Sequence, residues 1–224
     1  MASQTIENYV KTIYLIASQT GRVHGEPVST GELAVALNVS PGTVTGMLKS
    51  LSEAKLASYA PYEGVKLSDQ GRFLALKILR RHRLIELFLT QTLELSWDEV
   101  HEEAEHLEHA VSDRLIERID DYLGRPGFDP HGDPIPSADG VVTEPQGQPL
   151  SDLGRNDMFK IIRVVEQDSA FLRYLTDCGL DLGTVGRLAE KRPESGAVVL
   201  KVSDRAVALG WDAAGKVLVE RVSD

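Results

Sequence analysis

The sequence predicts a mainly α-helical protein with a small β part: an N-terminal winged helix-turn-helix, a helical middle and a C-terminal β-barrel. Three observations predict it. Apolar residues recur at three-and-four spacing over most of the first 123 residues, six of the ten prolines fall between Gly124 and Gly154, and the last third consists of short β-branched runs separated by glycine turns. At 224 residues the chain is long enough for two to three small domains. The expected boundaries are 1–72 for the winged helix-turn-helix, 73–140 for a helical domain, 141–157 for a linker and 158–224 for the barrel.

Residues 6–18 place Ile6, Tyr9, Val10, Ile13, Tyr14, Ile16 and Ala17 on one helical stripe, and the stretch from Thr20 to Pro27 ends it. Ser29-Thr30-Gly31-Glu32 then carries a capping-box pattern and opens a short helix with Leu33, Ala34, Ala36 and Leu37 on its apolar face. After a tight turn at Asn38-Val39-Ser40, Ser40 can cap a second helix with Pro41 at its first position and Val44, Met47, Leu48 and Leu51 buried. The segments Leu56–Tyr59 and Val65–Ser68 around Pro61-Tyr62-Glu63-Gly64 read as a hairpin wing. Any pair of short helices can share this apolar pattern. The wing and the small polar residues on the exposed face favour DNA, since they let the helix approach phosphates and base edges. Ser40, Pro41, Thr43, Thr45, Gly46 and Lys49 are the candidate DNA contacts.

Asp69 to about Leu95 forms a long helix that is apolar almost all round, which suits burial by its own domain and by a partner subunit. A further amphipathic helix is expected over 97–123. Beyond the prolines, Phe159–Val165, Val198–Val202 and Lys216–Val219 read as strands and Ser169–Cys178 as a short helix.

Composition closes off several classes. Cys178 is the only cysteine, which excludes a disulfide framework and a Cys-rich zinc or iron–sulfur site. No run of about 20 apolar residues is present and the first residues lack a signal-peptide pattern, so the expectation is a cytoplasmic protein with no membrane partner. The net charge of −10 comes from one segment: residues 95–152 hold fifteen acidic against three basic residues, whereas residues 1–72 balance. The bulk charge therefore argues neither for nor against a DNA-facing N-terminus.

The acidic segment contains His101-Glu102-Glu103-Ala104-Glu105-His106-Leu107-Glu108-His109. On a helix Glu105, Glu108 and His109 share one side with His101 a turn earlier, a stripe that repels itself unless a cation joins it. A solvated acidic face is the plain alternative. His82 and Glu86, one turn apart on the preceding helix, supply a second ladder, and two such ladders can face each other around metal. Neither a zinc-protease motif nor a Ser/His/Asp order nor a phosphate loop stands out, so an enzyme is the weaker reading. A di-metal carboxylate enzyme and a metal-buffering protein are the rivals.

Arg81-His82-Arg83-Leu84 with Glu86, and Val100-His101 through Glu108-His109, set between a winged helix and a small barrel, resemble the diphtheria toxin repressor family of metal-dependent regulators. The likeness runs over nearly the whole chain and implies an SH3-like C-terminal domain. It implies one metal site at Asn8, Glu105, Glu108 and His109. It implies a second at His82, Glu86 and His101, completed from the SH3-like domain by Glu166 with Gln167 or Asp168. Glu105 is similar to the manganese-responsive branch, whereas the iron branch has a cysteine there; Asn8 matches neither. Hard oxygen donors suit Mn²⁺, with Fe²⁺ as the alternative and other divalent ions binding in vitro. The resemblance thus implies a homodimeric Mn²⁺-activated repressor of metal-uptake genes on palindromic DNA. An iron-responsive repressor is the alternative within the family.

Overall fold

The computed structural model describes residues 3–19, 26–143 and 147–222; most of the Thr20–Pro27 stretch lies outside them. The chain divides into two compact units, Met1–Arg81 with Pro136–Val141, and His82–Ile135 with Val142–Asp224.

The first unit contains α1 (Gln4–Gln19), α2 (Thr30–Ala36), α3 (Pro41–Glu53), the hairpin β1 (Ala57–Ala60) and β2 (Gly64–Leu67), and the start of α4 (Asp69–Leu93). Ser29 caps α2 in a reciprocal capping box with Glu32, and Ser40 caps α3 by accepting from the Thr43 amide, with Pro41 following. These caps answer free amides at each helix start, so α2 and α3 can follow each other closely. Val10, Ile13, Leu33, Val44, Leu48, Leu51 and Val65 are buried in one core. The wing pairs Ala57 with Leu67 through Ala60 with Gly64. Val28 anchors it by exchanging both main-chain hydrogen bonds with Val65, at 2.9 Å each. Gly64 has φ +99, and a Cβ there would stand 2.5 Å from the Val28 carbonyl oxygen, so this crossing requires glycine.

The second unit begins with the later turns of α4 and adds α5 (Val100–Leu107) and α6 (Asp113–Tyr122). Leu84, Ile85, Leu89, Val100, Ala104, Ile116 and Ile119 bury their apolar faces together. The single helix expected over 97–123 is instead two. Glu108 caps the end of α5, and the Ser112 hydroxyl oxygen accepts from the Leu115 amide and starts α6 afresh. A hydroxyl that can bond to the nearby main chain competes with helix continuation, and here it wins. His109 therefore lies in the turn after α5 rather than on its stripe.

The C-terminal part is a six-stranded antiparallel sheet. Its order is β3 (Gln148–Pro149), β8 (Val217–Arg221), β4 (Met158–Val164), β5 (Val185–Arg192), β6 (Ala197–Val202), β7 (Arg205–Gly210), with α7 (Ser169–Asp177) and α8 (Trp211–Gly215) beside it. Leu150 and Leu153 are fully buried in its core. They lie in the 141–157 stretch expected to be a linker, where the neighbouring prolines mask two isolated leucines. β5 and β7 carry no strand signal of their own, because charged or small residues fill most of their positions. Among the described residues no helix is long and apolar enough to cross a membrane.

Gly71, in the first turn of α4, leaves no room for a side chain, since a Cβ would lie 1.9 Å from the Leu56 carbonyl oxygen. Gly71→Ala is expected to destabilise the protein by about 2 kcal/mol or more in denaturant unfolding.

Candidate metal centre

The packing of Ile85 and Leu89 with Val100 and Ala104 holds α5 against α4 and brings their histidines and carboxylates together. His82 Nε2 lies 2.9 Å from Glu86 Oε1 and 3.2 Å from His101 Nδ1, and His101 Nδ1 lies 3.3 Å from the same Glu86 oxygen. Two ligands at right angles on an ion with bonds of about 2.1–2.2 Å stand about 3 Å apart, so this triangle has the dimensions of three sites of one coordination sphere. The other His82 nitrogen, Nδ1, is 2.6 Å from Glu108 Oε2. That distance suits a charge-assisted hydrogen bond in which Nδ1–H donates, and Nε2 is the nitrogen that faces Glu86 and His101. Glu105 stands farther off, its Oε1 3.8 Å from His82 Nδ1 and 3.9 Å from His101 Nε2. With His82 and Glu108 it still makes a group of metal-binding spacing. His109 Nε2 is 3.3 Å from Glu108 Oε1, so Glu108 serves both imidazoles.

Glu86 is the centre of charge. Its side chain is fully buried, which would raise its pKa, but the charge of His82 and the polar contacts of His101, His131 and His82 outweigh burial and hold it well below the usual carboxylate range. Its second oxygen faces His131 Nδ1 at 3.7 Å, and Glu86, Asp129 and His131 form a further cluster with metal-binding spacing. Burial would lower the His131 pKa, but the approach and charge of Glu86, with the Asp129 charge and the Trp97 carbonyl, raise it to about 9. Burial, with the charges of Asp133 and Glu86, pushes Asp129 up to about 7 against the pull of Arg83 and His131. Acids and imidazoles crowded in this way are held together by protons, at positions where a divalent ion can replace them.

Sequence reasoning missed Asp129 and His131. Their stretch, Asp129-Pro130-His131-Gly132-Asp133-Pro134, looks merely irregular when its prolines alone are considered; the available signal is a histidine between two aspartates. The loop is fixed for local reasons. Asp129 Oδ1 accepts from the amides of His131 and Asp133 at 2.8 and 2.9 Å, and the Val164 amide donates to the His131 carbonyl at 2.9 Å. Gly132 has φ +82, and a Cβ there would meet the Ile162 carbonyl oxygen at 2.0 Å. Asp133 accepts from Arg83, Arg163 and Gln167.

The remaining expected ligands are Asn8, Glu166, and Gln167 or Asp168. Asn8 is on α1 in the other unit, with its side-chain oxygen buried and without a hydrogen bond. Gln167 is engaged with Asp133 at 2.9 Å, and Asp168 caps α7 by accepting from the amides of Ala170 and Phe171. Among the described residues neither Glu166 nor Asp168 joins a group with metal-binding spacing.

On α3 and its cap, Ser40, Pro41, Thr43, Gly46 and Lys49 are exposed and Thr45 is half-buried. The Thr45 hydroxyl donates to the Pro41 carbonyl at 2.9 Å, and the Ser40 and Thr43 hydroxyls lie 2.9 Å apart. A Cβ on Gly46 would meet nothing within 4 Å, so this face is open to a partner.

Comparison with known proteins bears on both regions. Residues 1–65 match the iron dependent repressor N-terminal DNA binding domain, residues 68–137 the iron dependent repressor metal binding and dimerisation domain, and residues 148–221 the FeoA domain. An uncharacterised HTH-type transcriptional regulator of Methanocaldococcus jannaschii is 40% identical over 121 residues, covering 54% of this chain and 94% of that protein. The diphtheria toxin repressor of Corynebacterium glutamicum is 29% identical over 228 residues, covering 97% and 96%. A solved manganese-dependent transcriptional repressor in complex with manganese superposes with a TM-score of 0.85 at 38% identity, covering 97% of this chain and all of that one. The paired His/Glu clusters on α4 and α5, behind a winged helix-turn-helix and ahead of an SH3-like sheet, thus belong to a member of the diphtheria toxin repressor family of metal-dependent transcriptional repressors.

Proposed function

We propose that this protein is a Mn²⁺-activated repressor of metal-uptake genes that binds palindromic DNA as a homodimer. The observation that carries the reading is the convergence of His82 Nε2, His101 Nδ1 and Glu86 Oε1 within 3.3 Å of one another. The donors are carboxylate oxygens and imidazole nitrogens throughout, with no thiolate, a set that suits Mn²⁺ better than soft ions. The manganese complex of a structural relative supports the same choice.

In this reading His82, Glu86 and His101 form one group that would hold an ion, and Glu86 with Asp129 and His131 a second. Asn8, Glu105, Glu108 and His109 are a further set proposed from the family resemblance, and Glu166 and Asp168 are the barrel's proposed contribution. The bound ion supplies the positive charge that lets these acids stay close at neutral pH. Glu86 offers an oxygen to each side, Glu108 keeps the His82 proton on Nδ1, and Arg83 neutralises Asp129 and Asp133. The ion-bound arrangement is coupled to DNA affinity by linkage, with two recognition helices about 34 Å apart in the dimer meeting successive major grooves. At the DNA, Ser40, Pro41, Thr43, Thr45, Gly46 and Lys49 carry the contacts. None of the small residues makes the paired guanine contact of an arginine, so specificity rests on methyl contacts and DNA shape.

Retardation of a palindromic operator, titrated with Mn²⁺, Fe²⁺, Co²⁺ and Zn²⁺ at buffered free concentrations, tests the function. Mn²⁺ is expected to activate at physiological levels, and a response confined to Fe²⁺, or binding independent of metal, would refute it. In the same assay Glu108→Ala and His109→Ala are expected to abolish metal-dependent binding while sedimentation still shows the dimer; activation at wild-type Mn²⁺ concentrations would remove these residues from the site. Lys49→Ala is expected to weaken binding equally on operator and scrambled DNA and to reduce the salt slope by about one. A changed sequence preference at an unchanged slope would contradict that phosphate role.

A further inference from the structure

The turn between α4 and α5 contributes no ligand to the clusters above, yet it is tied both to the His131 loop and to the barrel. His131 Nε2 donates to the Trp97 main-chain carbonyl at 2.7 Å. A carbonyl oxygen can only accept, so a proton stays on Nε2 and Nδ1 is the atom turned to Glu86. The His131 side chain is 0% exposed, and Nδ1 makes no hydrogen bond. It is a buried nitrogen that faces the second oxygen of Glu86.

The Trp97 carbonyl is in turn set from the barrel side. The indole lies nearly parallel to the His131 ring, with centroids 6.1 Å apart and planes 16° from parallel, and it packs against the barrel core. Its Nε1 donates to Thr176 Oγ1 on α7 at 2.9 Å, and that hydroxyl donates onward to Asp181 at 2.9 Å. The next residue is held as well: the Asp98 carboxylate meets Arg173 Nη1 at 3.0 Å, and its carbonyl accepts from Ser169 Oγ at 2.8 Å. Three residues of α7 therefore fix Trp97 and Asp98, and the first of these fixes His131.

We propose that Trp97 is a positioning residue: through it, α7 of the C-terminal domain sets the tautomer and orientation of His131, and hence the strength of the metal site, without a ligand passing between them. This rests on the reading above that His131 is a ligand. It gives the C-terminal domain a part in metal affinity that does not depend on Glu166 or Asp168.

Calorimetric titration of the full chain with MnCl₂ tests it. Trp97→Ala is expected to weaken binding about tenfold or more and Thr176→Val about threefold, in line with the usual effect of residues that orient a ligand. Thr176→Ser keeps the hydroxyl and is expected to bind as wild type. The Trp97→Ala/Thr176→Val double variant is expected to be no weaker than Trp97→Ala alone, because both act along one path. In the metal-free chain, imidazole nitrogen NMR is expected to show a proton on His131 Nε2. Wild-type affinity in Thr176→Val and Trp97→Ala, an equal loss in Thr176→Ser and Thr176→Val, or a bare Nε2 would each overturn the proposal. His131→Ala separates the two readings. If it weakens Mn²⁺ binding while Thr176→Val does not, only the positioning role falls; if it binds as wild type, the ligand assignment falls and the positioning role with it.

Discussion

A carboxylate taken fully out of water needs partners that stabilise its charge, and Glu86 obtains them from the charge of His82 and the polar contacts of His101 and His131. Much of the second unit serves this need. α5 brings His101 to it, the 129–133 loop brings His131, and α4 itself supplies His82 one turn away. Two of these imidazoles are fixed by a further contact: His82 by Glu108, and His131 by the Trp97 carbonyl. The apolar packing of α4 on α5 alone would leave a buried negative charge unanswered. The charge alone would not select this geometry.

Much of this is legible in the sequence because it obeys helical spacing. The caps Ser29 and Ser40, the wing and the His82/Glu86 ladder follow from local rules, and the structure has them at the predicted positions. The failures have a common cause. A single helix over 97–123 would have to run through Ser112, whose own hydroxyl bond ends the regular pattern. Asp129 and His131 lie outside any periodic segment, and their loop is shaped by an aspartate that bonds back to the main chain and by a distant strand. Leu150 and Leu153 reach the barrel core from a proline-rich stretch with no periodicity to reveal them. Periodicity can be read from a chain before it folds, whereas a contact between remote segments leaves no local trace.

The distribution of charge follows the same division. Fifteen of the thirty-four acidic residues sit in residues 95–152, where α5, α6 and the His131 loop are, and the 1–72 segment is neutral overall. Uniform acidity would repel a phosphate backbone over the whole surface, whereas this partition confines the repulsion to the part that attracts cations.

The loop that carries Asp129 and His131 is joined to β4 through main-chain atoms: the Val164 amide on the His131 carbonyl, and the close approach of Gly132 to the Ile162 carbonyl. Apart from the Arg163 side chain, which donates to Asp133, such a joint is blind to the side chains of the strand it uses. The barrel's sequence can drift at positions 162 and 164, so far as its own core permits, and still seat the loop. Position 132 has no such liberty. An exchange of barrels between related regulators would succeed or fail on backbone geometry at this joint, and a single methyl group on the loop side would be enough to block it.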